Sequence, residues 1–195
     1  TSKAIEKQTA LLEKIRITIA RLRNITLLWH FAIRPVMDVM QKAITGFTEY
    51  EKAITGVTRI GRRFGESQID MRMAMDEFTS TGLLDITEVS QGLKNLLSTG
   101  IGLPKAVELF RKMADVAAFN RQGTMGLGEA LVGATQGYKN LQSRMLDNAG
   151  LTKRISNIIK EQLIAEGRLG EALDQKGKYM ALANGIIERE SIPFQ

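Results

Sequence analysis

The chain has 195 residues, 44% hydrophobic and 25% charged, which is enough apolar material for one core or two small ones and excludes a disordered polypeptide. It holds no cysteine, which excludes a disulfide framework, thiol chemistry and any cysteine-based metal site. Its formal charge of +6 is concentrated at the start, where Lys3, Lys7, Lys14, Arg16, Arg21, Arg23 and Arg34 outnumber Glu6 and Glu13; such a segment suits nucleic acid, an anionic membrane or an acidic protein wall, and equally a plain solvated helix face.

Residues 3–33 carry a helical signal unbroken by glycine or proline. A heptad seam runs through it: Ile5, Gln8, Leu12, Ile15, Ile19, Leu22, Thr26 and Trp29. Isoleucine and leucine mixed over both seam positions lean toward more than two strands, so the segment reads as a trimeric coiled coil; the same stripe packed on the chain's own globular part is the other reading. Ile5, Leu12, Ile15, Ile19, Leu22 and Trp29 are the candidate self-association residues. The patch from Ile25 to Ile33 is apolar on every face and is expected to be covered on all sides, being too short to cross a membrane between Arg23 and Arg34. His30, the only histidine, reads as a packed core residue, because a metal site needs companion ligands.

Pro35 removes a backbone donor, so a kink or restart is expected there. The spacing of Val36, Met40, Ile44, Phe47, Ile54, Val57 and Ile60 predicts a second helix, with Gly46 and Gly56 inside it. An interior glycine costs about 1 kcal/mol relative to alanine, which predicts close helix contact or a bend at both points. The break from Gly61 to Ser67 lacks the pattern of a phosphate-binding loop and reads as a surface turn. Ile69, Met73, Met75 and Phe78 mark the next helix, whose methionines read as adaptable packing.

From Thr79 onward short helices alternate with glycine-marked breaks at Gly82, at Gly100 and Gly102, at Gly126 and at Gly150. Ile86, Val89, Leu93, Leu96 and Leu97 form one helical stripe, and Val107, Phe110, Met113 and Ala117 the next. Ile155, Ile158, Ile159 and Leu163 form a third; Gly167 and Gly170 break it before Leu173, Met180, Leu182 and Ile186. Helices this short persist only by burying their apolar faces on one another. The expected fold class is therefore all-α: a long basic helix over 1–34, a helical hairpin over 35–78 and a compact bundle of short helices over 79–195, the whole a piece of a longer polypeptide.

A catalytic nucleophile needs a histidine base, and the sole histidine lies inside an apolar patch; a zinc-binding His-Glu-x-x-His helix is missing from the sequence. Asp70, Asp76, Glu77 and Asp85 read as helix caps and solvated charges rather than as an acid/base pair. No catalytic, cofactor or metal site is predicted, and the chain is not expected to be an enzyme. No signal-peptide pattern and no membrane-length apolar run appear, so the chain is expected to be soluble as made.

Several words follow one another along the chain: EYEKAITGV from Glu49 to Val57, SQGLKNLLSTG from Ser90 to Gly100, GATQG from Gly133 to Gly137, LDNAGLTK from Leu146 to Lys153 and ANGII from Ala183 to Ile187. In that order they resemble the core region of phage tail tape measure proteins, over roughly residues 40–190. The resemblance implies a long helical chain present in a few copies in the lumen or tip of a virion tail. It implies assembly in the cytoplasm of a bacterial host, a length that sets tail length, and release during genome ejection. Implied partners are the chain itself, tail tube and tail tip proteins, tail assembly chaperones and the host membrane during ejection. A membrane-active pore-forming or translocator protein is the alternative, since small residues favour close helix packing in bilayers. A nucleic-acid binder ranks last, with few aromatics near the basic helix and no motif for sequence recognition.

Overall fold

The computed structural model of the chain describes residues 11, 13–14, 16–23, 26–27 and 29–189. Among them every regular element is helical and there is no strand. Residues 16–23 are helical, and a π-helical turn spans Trp29–Ile33. It leads into α1 (Arg34–Gly61), followed by a 3-10 turn at Arg62–Phe64, α2 (Gln68–Thr79), α3 (Ile86–Leu97), α4 (Leu103–Asn120), α5 (Leu127–Asn140), the single turn α6 (Ser143–Asp147), α7 (Ile155–Ala165) and α8 (Gln175–Arg189). The chain divides into two units, Thr1–Thr48 and Glu49–Gln195, the division falling within α1.

In the first unit the π turn lies immediately before Pro35. A proline leaves the carbonyl one turn back without its amide partner, and a wider turn is one way for a helix to absorb that loss. The described residues of the chain do not themselves supply the covering expected for the patch around this turn: Leu27 is 46% exposed and Trp29 51%, and His30, read as a core residue, is exposed as well. An apolar run is covered only where another element reaches it, and no described element of this unit does so.

The second unit is held by stripes at helical spacing. Ser67 caps α2 by accepting the Asp70 amide at 3.1 Å, and the helix buries Met71, Ala74, Met75 and Phe78. Met73, between the two core methionines, stays in solvent because it points off that stripe. Asp85 opens α3 with a capping box: its carboxylate accepts the Thr87 amide at 2.7 Å, while Glu88 accepts the Asp85 amide at 3.0 Å. Val89, Leu93, Leu96 and Leu97 of α3 are then fully buried. Pro104 sits in the first turn of α4, whose Leu103 amide donates to Glu66 Oε1 at 2.9 Å, so a side chain ahead of α2 satisfies an orphan donor of α4.

The helices approach closely where they cross. Gly92 of α3 lies against the Phe110 ring of α4, which meets Phe78 edge-on with centroids 4.7 Å apart. A methyl group at Gly185 of α8 would lie 2.6 Å from Ile158 Cγ2 of α7. Gly56 is similarly close to Lys94, where a methyl group would lie 2.7 Å from the ammonium end, whereas at Gly46 it would meet nothing within 4 Å. Of the close contact or bend expected at both interior glycines of α1, close contact is present at Gly56, while the described residues bring none to Gly46.

Candidate functional site

Of the candidate seam, Ile5, Leu12 and Ile15 lie outside the described residues. Ile19, Leu22 and Trp29 are 60%, 59% and 51% exposed. The exposed apolar surface continues into α1 through Val36, Met40, Ile44 and Phe47, all read from the sequence as helix positions, and adds Met37 and Val39, which the sequence reading passed over. The signal for those two was available: they flank the stripe without a charge between them and it.

Gly82, Gly100 and Gly150 hold positive φ angles of 70°, 86° and 85°. At Gly150 the conformation coincides with crowding, since an added methyl group would approach Asn120. Gly102 and Gly126 instead have φ of −68° and −64° and sit as the N-cap residues of α4 and α5. These two open a helix rather than close one. Leu141, at φ 52°, terminates α5 in a left-handed conformation without glycine, a stop with no composition signal.

The second unit has depressions on its surface, and two of them are lined by polar side chains. One, of about 440 Å³, lies between α2 and the start of α4, with Met73, Ala74, Leu103 and Val107 along it and carboxylates at its edge. Each of those carboxylates already has a partner. Glu66 takes the Leu103 amide, Asp70 accepts the Ser67 hydroxyl at 2.6 Å, Glu77 accepts Arg111 Nε at 3.0 Å, and Glu108 pairs with Lys105 at 3.4 Å. The other, of about 230 Å³, lies between α1 and α3 beside Lys52, Ser90 and Lys94. Its Ser90 hydroxyl is engaged, donating to the Ala53 carbonyl at 3.2 Å. Among the described residues no group of three or more His, Asp or Glu side chains is placed to hold a metal, and no helix is long and apolar enough to cross a membrane.

The buried polar groups tie helices together. Asn95 Nδ2 donates to Thr135 Oγ1 at 3.1 Å, joining α3 to α5, and the Thr135 hydroxyl in turn donates to the Val132 carbonyl at 3.0 Å. Tyr138 donates to the Tyr179 carbonyl at 2.6 Å, while Tyr179 donates to the Lys139 carbonyl at 2.7 Å, a reciprocal clamp between α5 and α8. At the end of α7, donation from Gln162, Asn184 and Arg168 holds the Glu166 carboxyl below its usual range. Asp76 accepts the Tyr50 hydroxyl at 3.0 Å, fixing α1 on α2. The hydrogen-bonding side chains buried in the body, Thr58 Oγ1 excepted, are thus engaged with its own architecture; large apolar side chains are exposed in a row along the first unit and α1, and singly in the body at Ile69, Leu83 and Phe119. No family model, curated protein or solved structure matches the chain.

Proposed function

We propose that this chain is a structural component of a virion tail, a segment of a tape measure protein. It occupies the tube lumen or tip, sets tail length during assembly and leaves during genome ejection. The single observation that carries the structural reading is that the buried polar side chains of the body, Thr58 Oγ1 excepted, engage one another, while large apolar side chains stand exposed in a row along a helix. A ruler needs helical reach of about 1.5 Å per residue and self-association, not a reaction pocket. The ordered words from Glu49 to Ile187 direct that reading to the tape measure class.

In this reading the seam of Ile5, Leu12, Ile15, Ile19, Leu22 and Trp29 pairs with its counterparts in a trimeric coiled coil. The surplus of positive charge over 1–34 faces an acidic tube wall, and tail tube proteins, tail tip proteins and assembly chaperones are the further partners. The test is genetic: shortening the helical part of the parent chain should shorten tails in proportion, measured by electron microscopy. Tails of unchanged length would remove the ruler role. The exposure of Leu27 and Trp29 also favours a second reading, a membrane-active helical protein. Leakage from anionic liposomes at low protein concentration would support it over the first.

A further inference from the structure

With Ile33, Met40, Phe47 and Ile54 at one seam position and Val36, Ala43, Tyr50 and Val57 at the other, the helix from Ile33 onward follows one heptad register. In the second unit that register is a burial register, Ile54 being 1% exposed and Val57 fully buried. In the first unit the same positions lie in solvent, Met40 at 54% and Phe47 at 67%. The flanking positions there are Met37, Val39, Ile44 and Gly46, none of them charged. Arg34, Asp38, Lys42 and Glu49, the charges of this stretch, all fall on the outer positions of the heptad. A face built this way needs an apolar partner whose own flanks are uncharged, and it fits that description itself.

Gly46 identifies how two such faces meet. It sits inside a helix, where glycine costs about 1 kcal/mol relative to alanine. Beyond its own stretch of helix, no described atom comes within 4 Å of where a methyl group would stand, so packing among the described residues does not require glycine there. In a parallel, in-register pair, the side chain at the Phe47 position enters a hole bounded by the partner's residues at positions 43, 46, 47 and 50. Two of these, at 43 and 46, are alanine and glycine, the two smallest, opposite the largest side chain of residues 33–47.

We propose that residues 33–47 form a parallel, in-register interface between identical copies of this chain, with Phe47 of each copy seated against Ala43 and Gly46 of the next. This extends the self-association assigned above to the upstream seam, and it assigns a role to a helix glycine that the fold leaves unexplained. The numbering continues the upstream seam from Trp29 to Ile33 without an inserted residue, and an α turn in place of the π turn would put both stripes on one face.

The natural absence of cysteine makes the test direct. Single cysteines are placed in the full chain at Met40, on the seam, at Asp38, on the outer face, and at Leu22, on the upstream seam, and disulfide-linked dimers are followed during mild oxidation. Met40→Cys should cross-link at least about ten-fold faster than Asp38→Cys, because the interface raises its effective concentration. Adding Gly46→Leu, which fills the hole but favours helix, should bring the Met40→Cys rate down to that of Asp38→Cys, with circular dichroism reporting intact helicity. Equal rates for Met40→Cys and Asp38→Cys, or a Met40→Cys rate indifferent to Gly46→Leu, overturn the proposal. If Leu22→Cys links while Met40→Cys does not, the upstream seam stands and this interface alone falls; if neither links, both fall.

Discussion

Tyr138 and Tyr179 show how single residues lock this body. Each hydroxyl donates to a backbone carbonyl of the other's helix, and the rings lie 5.6 Å apart. Tyr138→Phe keeps the ring but removes the hydroxyl's bond to the Tyr179 carbonyl, which should cost about 0.5–1.5 kcal/mol in urea unfolding. Burial also raises the Tyr138 phenol above its ordinary 10.0. The folded chain therefore holds that proton more tightly, so the phenol's contribution is intact below about pH 10 and is lost as pH rises further. The stability gap between wild type and Tyr138→Phe should accordingly narrow in that alkaline range; a gap that stays constant there would show that the burial has no such consequence. Neither tyrosine stands out in the sequence, because a hydroxyl aimed at a carbonyl forty-odd positions away has no local signature.

At the scale of the element, what is local was legible. The stripes Val89, Leu93, Leu96 and Leu97, or Phe110, Met113 and Ala117, are buried as their spacing requires, since a 3.6-residue period puts them on one face. The Asp85 capping box is equally local. Asp85→Ala removes the acceptor of the Thr87 amide, and should lower stability by about 0.5–2 kcal/mol with loss concentrated at the start of α3. Hydrogen exchange at Thr87 and Glu88 would check this, and unchanged exchange there would deny the cap its role. What the period could not tell was which stripes find a neighbour. Met40 and Phe47 share their register with Ile54 and Val57, yet only the latter pair meets other helices of its unit.

At the scale of the whole molecule, stability is unevenly distributed. The core of the second unit gathers Ile54, Val57, Phe78, Leu93, Phe110, Leu131, Tyr138 and Leu182 into one cluster, whereas residues 34–48 make their hydrogen bonds along an exposed helix. In dilute solution amides of α3, α4 and α5 should exchange most slowly, near the global unfolding limit, and those of residues 34–44 much faster. Raising the protein concentration should slow exchange over residues 34–44 and leave α3 unchanged, if copies meet along that helix. Protection there that does not respond to concentration would point to cover from the chain itself.

The sequence by itself determined that this is a helical protein without thiol chemistry, and it located the core stripes and several helix starts, because helical period, capping residues and composition act within a few residues of one another. Only the tertiary structure decided that Glu66 caps α4, that Gly92 admits the Phe110 ring, that Gly46 stands in open space and that the patch around Trp29 is exposed. Burial and hydrogen-bond satisfaction depend on which distant element arrives beside a residue, and that pairing is a property of the packed chain rather than of any stretch of it.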